Sequence, residues 1–150
     1  MNKLFCLIFY TCRDGDYREG FHIGLFKSRE EAKAIELRYR KEVAGFKACD
    51  AEITAVPVIG AYTDEAIVYR YVGWNENEDF DEVDLIESAC YMDLTEAEAD
   101  YKKAQSATPR QEWVLNRHTI GQCDWKEGFV RKGGADEKAG KAGCDKTGDP

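Results

Sequence analysis

Hydrophobic and polar positions follow two different periods along the first part of the chain. An apolar run at residues 4–11 and an alternating segment at residues 21–26 predict two β-strands joined by a polar turn. Residues 51–59 predict a third strand. Between the second and third strands, apolar side chains recur at helical spacing, at Ala32, Ile35, Tyr39 and Val43. The predicted order of elements is therefore ββαβ.

Both ends of the predicted helix carry recognisable signals. Ser28, with Glu31 three residues later, forms a capping box in which each side chain satisfies one backbone donor. Gly45 follows the last apolar position, where a residue with a left-handed backbone commonly ends a helix. We therefore expect the helix to begin after Ser28 and to stop at Gly45.

The same order of elements recurs in the second part of the chain. The pattern predicts a strand at residues 66–72, a long polar loop at 73–84, a strand at 84–91 and a last strand at 113–120. Thr95 and Glu98 repeat the capping box at an offset of 67 residues, and Pro109 prevents continuation of the helix. The apolar stripe of this second helix consists of Ala97, Tyr101 and Ala104.

The repetition predicts an α+β fold made of a duplicated ββαβ module. Repeats of about residues 1–61 and 65–131 would form one globular domain over residues 1–131, because neither repeat alone can bury a sufficient core. We expect pseudo-twofold symmetry, two helices, a ferredoxin-like character and a mainly antiparallel sheet or pair of sheets. A groove where the repeats meet is the expected ligand site. Residues 132–150 contain no large apolar side chain and predict a disordered tail.

Composition narrows the class of protein. A hydrophobic content of 43% and a formal net charge of −8 predict a folded acidic protein and disfavour nucleic-acid binding through a basic patch. The six cysteines form no Cys-x-x-Cys pair and several lie in apolar runs, so buried reduced thiols in a cytoplasmic protein are expected. The apolar run at residues 4–10 lacks a signal-peptide cleavage site, and no segment is long enough for a membrane helix. No cofactor or metal site is predicted.

A six-residue pattern, Asp-aromatic-basic-Glu-Gly-Phe, occurs twice, at residues 16–21 and 124–129. It indicates two equivalent turns that present an aromatic ring and a carboxylate to a ligand. The alternative is a favoured turn in which glycine supplies a positive φ and the phenylalanine enters the core. The predicted contact residues of a binding site are Tyr17, Glu19, Trp74, Trp125, Glu127 and Phe129.

Other chemistry-bearing residues form no catalytic pattern. Residues 76–87 hold seven acidic residues and no basic one, which indicates a solvated loop or a surface for a basic partner; the alternation and glycine of an EF-hand are missing. His22 has no Cys or Asp at ligand spacing, and Cys123 lies five residues beyond His118, on the opposite face of a continuing strand. Phosphate-loop, serine-hydrolase and zinc-protease motifs are missing from the sequence, so no catalytic residue is predicted.

The helix and its flanks resemble a widespread small bacterial domain of unknown function. The resemblance rests on the run Gly-Leu-Phe-Lys-Ser-x-Glu-Glu-Ala at residues 24–32, on Gly45 and Phe46, and on the Asp-Trp-Lys-Glu-Gly-Phe end at 124–129. This chain carries two copies, and in the second Pro109 and its neighbours stand where the Gly-Phe pair would be. The resemblance implies a fold and no activity.

These observations favour a non-enzymatic binding or regulatory module that uses the groove between its repeats to bind a protein or a small ligand. One alternative is an acidic defence-related or inhibitor protein that docks onto a basic partner. Another is a small cytoplasmic enzyme, in which His22 or His118 would meet a carboxylate in a concave pocket. Neither nucleic acid nor a membrane is an expected partner, whereas a homodimer is compatible with the sequence.

Overall fold

The computed structural model describes residues 2–10, 20–47, 49–61 and 66–124. These residues form a mixed α+β fold in which the strands pair mainly antiparallel. The elements in chain order are β1 (Lys3–Tyr10), β2 (Gly20–Phe26), α1 (Arg29–Glu42), a short 3₁₀ helix (Ala44–Phe46), β3 (Asp50–Ile59), β4 (Ile67–Glu76), β5 (Glu82–Glu87), β6 (Cys90–Tyr91), α2 (Leu94–Ala107) and β7 (Glu112–Thr119). Neither described helix is long and apolar enough to cross a membrane. The predicted tail at 132–150 and the end of the predicted domain lie outside the described residues.

The described residues divide into two compact units. The α1 unit consists of the described residues of Phe5–Ala55 and residues 121–124. The α2 unit consists of residues 2–4 and the described residues of Val56–Ile120. Strands β1 and β3 contribute residues to both units, since the division falls after Leu4 within β1 and after Ala55 within β3.

In the α1 unit, β1 lies between β2 and β3, and α1 covers one face of these strands. The apolar stripe predicted for α1 is confirmed, since Ala32 and Tyr39 are buried in a core with Phe9 and Phe46. The rings of Phe9 and Phe46 stack with their centroids 4.6 Å apart. Burial of these aromatic rings removes a large apolar area from water and so stabilises this unit.

The start of α1 is as predicted, but its end is not. The Ser28 side chain accepts a hydrogen bond from the Glu31 backbone N–H at 3.0 Å, whereas the Glu31 carboxylate accepts from Lys27 instead of Ser28. The prediction that Gly45 ends the helix with a positive φ is wrong. The helix ends at Glu42, and an extended Val43 starts a 3₁₀ turn that carries Gly45.

Arg40 explains this ending. Its guanidinium donates to the backbone carbonyl of Cys49 at 2.6 Å, to those of Phe46 and Lys47 at 3.4 Å, and to Glu36 at 3.1 Å. Because Arg40 satisfies carbonyls of the connection, the chain can turn back into the core without the glycine cap that local sequence suggested.

In the α2 unit, β4 is the central strand. It pairs with β7 on one side and with β5 and β6 on the other, while β6 runs parallel to the end of β3. Helix α2 lies on the face of β4 that carries Tyr71, whose ring contacts those of Tyr91, Tyr101 and Trp113. This aromatic cluster forms the core between α2 and its strands together with the fully buried Ala97.

The predicted polar loop at 73–84 is mostly strand. β4 continues to Glu76 and β5 begins at Glu82, so the turn between them spans only residues 77–81. Pairing with β7 and β5 imposes the extended backbone, as in the pairs Trp74↔Glu112 and Asn75↔Val83. Cross-strand partners therefore decided the conformation of a segment whose side chains are typical of a loop.

The predicted cap of the second helix is also wrong. Asp93, not Thr95, is the N-cap, and its carboxylate accepts from the Glu96 backbone N–H at 2.9 Å. Met92 still bonds to a strand, because its N–H donates to the Ile59 carbonyl of β3. Asp93 follows directly and begins the helix two residues before Thr95. The predicted stop before Pro109 is confirmed, since α2 ends at Ala107.

The cysteines of the described residues are buried thiols, as the apolar runs predict. They are Cys6, Cys49, Cys90 and Cys123. Each lies in or beside the hydrophobic interior of its own unit, where a thiol behaves as a small apolar side chain.

Candidate functional site

Most of the predicted contact residues cannot be placed. Tyr17, Glu19, Trp125, Glu127 and Phe129 lie outside the described residues, so both predicted Glu-Gly-Phe turns stay predictions. Trp74 is described and is a half-buried residue of β4. Its indole Nε1 is buried and has no hydrogen-bond partner among the described residues.

In the α1 unit, a short segment of the chain returns to β2 after a long separation in sequence. The backbone N–H groups of Gly121 and Asp124 donate to the carbonyls of Leu25 and Ile23, at 2.7 and 2.6 Å. Gly24 permits this approach, because a Cβ atom there would lie 2.7 Å from the Gln122 carbonyl oxygen. The segment 121–124 thus lies along β2, which is the outer strand of this unit.

This return of the chain brings a histidine and a carboxylate together. His22 Nδ1 lies 2.9 Å from Asp124 Oδ2. Burial alone would lower the pKa of His22. The hydrogen bonds with Asp124 and with the Cys6 thiol raise this pKa by a larger amount, so that it is about 9. The imidazole is therefore charged at neutral pH and forms an ion pair with Asp124. A charged ring can donate a proton but cannot accept one, which disfavours a general-base role.

Local sequence gave no sign of this pair. The two residues are 102 positions apart, and only the pairing of the 121–124 segment with β2 makes them neighbours. A glycine inside an alternating strand, here Gly24, is the signal that could have indicated close approach of another backbone. Of the other residues considered for an enzyme, Cys123 lies in the α1-unit core beside Arg38, and His118 lies on β7 opposite Val68.

The α2 unit presents a different kind of site, the acidic hairpin, which we define as residues 76–87. Its turn is held by Asn77, whose side-chain oxygen accepts from the backbone N–H groups of Asp79 and Asp81 at 2.8 and 3.0 Å. Phe80 donates its own N–H to the Asn77 carbonyl and has a left-handed backbone, with φ of 65°. As a result its side chain stands outward and is 80% exposed.

The base of the acidic hairpin is also fixed. Asp84 and Leu85 of β5 face the single residue Trp74 of β4, which forms a β-bulge with Asp84 at a φ of 56°. Asn75 donates to the Asp84 carboxylate at 3.1 Å, and Arg110 donates to the Asp84 carbonyl at 2.8 Å. These bonds tie the hairpin to the connection between α2 and β7, so its tip has a defined orientation within the α2 unit.

Charge distinguishes the acidic hairpin from an ordinary loop. Residues 71–101 contain eleven acidic residues and no basic one. Among the described residues of the hairpin, Glu87 has an ion pair, 3.7 Å from Arg70. The oxygen of Asn77 is used by backbone donors, so the turn is built as an Asx turn and not as a cation loop.

No protein-family model, curated protein or solved structure matches the chain. The resemblance of residues 24–32 to a bacterial domain of unknown function stays a prediction.

Proposed function

We propose that the protein is a non-enzymatic binding module whose acidic hairpin docks onto a basic surface of a protein partner. The observation that carries this proposal is the position of Phe80, 80% exposed at the tip of a hydrogen-bonded turn. Burying a phenylalanine ring in a pocket is worth about 2 kcal/mol. Since the turn is already ordered, little of that free energy is lost to fixing the loop on binding.

The charge of the hairpin defines the partner. Carboxylates on both sides of Phe80 attract a surface rich in Lys and Arg and speed its encounter with the hairpin. They repel acidic proteins and nucleic acid for the same reason. The partner's site would therefore be an apolar pocket with a basic rim. The sequence offered an acidic inhibitor of a basic partner as an alternative function, and this proposal assigns that docking role to the acidic hairpin.

The duplicated ββαβ module is part of the same proposal. Within the α1 unit the strand order is β2-β1-β3 beside a helix of 14 residues, and within the α2 unit β5-β4-β7 beside a second helix of 14 residues. This correspondence supports duplication and makes the β1–β2 and β4–β5 hairpins equivalent. We infer that the acidic hairpin is where the second repeat acquired its own recognition surface.

Site-directed photo-crosslinking tests the proposal. A photo-reactive phenylalanine analogue at position 80 should cross-link one basic protein in an extract of the source cells. The same analogue at position 37 is the control, because Leu37 is 59% exposed on α1 and far along the sequence from the hairpin. The product from position 80 should decrease steeply between low salt and about 0.5 M salt, where charge attraction is screened.

Two results would contradict the proposal. One is a set of products that is the same from positions 80 and 37, since that pattern indicates unspecific contact. The other is an unchanged yield when Glu78, Asp79 and Asp81 are replaced by their amides, since the carboxylates would then contribute nothing to recognition.

A further inference from the structure

Strand β5 is an outer strand of the α2 unit. Among the described residues it pairs with β4 alone. Alternate backbone N–H and C=O groups of a strand point away from its neighbour, so the outer side of β5 presents donors and acceptors that another extended chain can use. Natural proteins usually cover such an edge or protect it with charged side chains.

The charged side chains that protect the edge of β5 are all negative. Glu82, Asp84 and Glu87 are exposed acidic residues of this strand, and it holds no basic residue. Leu85, which the bulge turns outward, is 51% exposed between them. Acidic side chains keep away a second copy of the same strand, because like charges would lie opposite each other. They do not keep away a basic strand.

We propose that the outer edge of β5 binds an extended basic segment of the partner as an added β-strand. This inference rests on the proposed function and specifies how the partner is held: backbone hydrogen bonds to β5 provide affinity, and alternate basic side chains of the segment meet the carboxylates of Glu82 and Glu87. The aliphatic stem of a basic side chain between them covers Leu85, and the apolar side chains of the segment lie beside Val83 and Ile86 on the other face. The bulge at Asp84 interrupts the edge, so the segment is short, about six residues.

The charge argument selects this occupant over others. A second copy of the chain would bring the acidic residues of two β5 strands next to each other without any opposite charge between them. An apolar segment would offer no opposite charge to these acidic residues, and an acidic segment would be repelled. Alternating basic and β-branched residues meet all three requirements: an extended backbone, positive charge on the face of Glu82 and Glu87, and apolar side chains beside Val83 and Ile86.

The test uses the full chain and a fluorescent six-residue peptide of alternating Lys and Val. Two control peptides carry the same sequence and charge but are N-methylated at either the odd or the even positions, which removes backbone donors from one side of the strand. We expect the unmodified peptide to bind and at least one methylated peptide to lose tenfold or more in affinity. Amide NMR signals of residues 82–87 should shift on binding of the unmodified peptide.

The outcomes separate this inference from the proposed function. Equal binding of all three peptides would overturn strand addition, because charge alone would then explain binding, while leaving the hairpin as a docking site. Shifts confined to residues 77–81 would overturn it in the same way. A variant that carries the photo-reactive analogue at position 80 and amides in place of Glu78, Asp79 and Asp81 would support both if it binds the peptide normally but loses its cross-linked partner. A dimer held through residues 82–87, detected by light scattering and NMR, would overturn the inference because the edge would be occupied by a second copy.

Discussion

The indole ring of Trp113 lies directly over the backbone of Gly73, its partner across the β4–β7 pair. A Cβ atom on residue 73 would be 2.6 Å from Cε3 of Trp113, which is closer than carbon atoms approach without displacement. The ring cannot move aside easily because it also contacts Tyr71 and Tyr101, with centroids about 6 Å away. Glycine is therefore required here for space and not for turning the chain.

Gly73→Ala should consequently destabilise the protein by about 1–3 kcal/mol, the usual cost of overpacking a core. The free energy of unfolding in urea is the measurement. The control is the same substitution in a Trp113→Leu background, where a smaller side chain leaves room for the methyl group. An equal loss in both backgrounds would show that Trp113 is not the obstacle.

The ion pair between His22 and Asp124 predicts a particular dependence of stability on pH. The pKa of His22 is raised from 6.5 to about 9 in the folded protein. Its contribution is thus fully present below pH 6.5 and is lost as the pH rises towards about 9. We expect a loss of about 1 kcal/mol, since Asp124 is partly exposed and solvent screens the pair.

Comparison of wild type with Asp124→Asn isolates this effect from other titrations. The difference in unfolding free energy between the two proteins should be largest near pH 6 and small above pH 9.5. NMR titration of the His22 ring should show a lower pKa in the variant. A ring that titrates identically in both proteins would remove Asp124 as the cause of the shift.

The position of the α2 cap can be tested by two substitutions two residues apart. Asp93→Ala removes the acceptor of the Glu96 N–H and should cost about 1 kcal/mol. Thr95→Ala lies inside the first turn and should be neutral or slightly stabilising, because alanine has the higher helix propensity. The reverse order of effects in urea unfolding would favour the cap predicted from sequence. Ser28→Ala, at the start of α1, should resemble Asp93→Ala.

Arg40 should matter more for stability than its neighbour Arg38. Arg40→Lys keeps the charge near the buried Glu36 but loses the fork of donors that reaches the Cys49 and Phe46 carbonyls. We expect a cost of about 2 kcal/mol, measured by thermal or urea unfolding. Arg38→Lys is the matched control, because its ion pair with Glu42 is long and exposed and its hydrogen bond to the Cys123 thiol is long, at 3.7 Å; it should change stability by less than about 0.5 kcal/mol.

Sequence patterns were informative where one element decides its own conformation. The alternation of residues 21–26 and the stripe containing Ala32 and Tyr39 predicted β2 and α1 because side-chain period reports directly on the buried face. The Ser28 cap was predictable for the same reason: its hydrogen bond spans three residues.

The wrong predictions concern positions whose conformation depends on residues far away in the sequence. Asp93 and Thr95 are both plausible caps with an acidic residue three positions later, and pairing of the preceding residues with β3 selects Asp93. Gly45 lost its role as a stop because Arg40 binds the following carbonyls. The approach of Asp124 to His22 depends on a backbone pairing that spans most of the described chain, which no local pattern contains.

The candidate site was predictable in charge but not in shape. The acidic residues of the hairpin are evident in the sequence, whereas the extended conformation of Gly73–Glu76 and the outward position of Phe80 result from pairing with β7 and from the Asn77 turn. A phenylalanine between two aspartates in a loop-like segment is unusual, and this feature of the sequence could have indicated an exposed recognition residue.

The bond between Asp124 N–H and the Ile23 carbonyl has a consequence for biosynthesis. β2 leaves the ribosome well before the segment that lies along it, which is made only after the described elements of the α2 unit that follow β2 in the chain. During translation the outer side of β2 is therefore open to other chains for several seconds. We expect the α1 unit to reach its final state only after residue 124 emerges, and chains truncated before that residue to associate through β2.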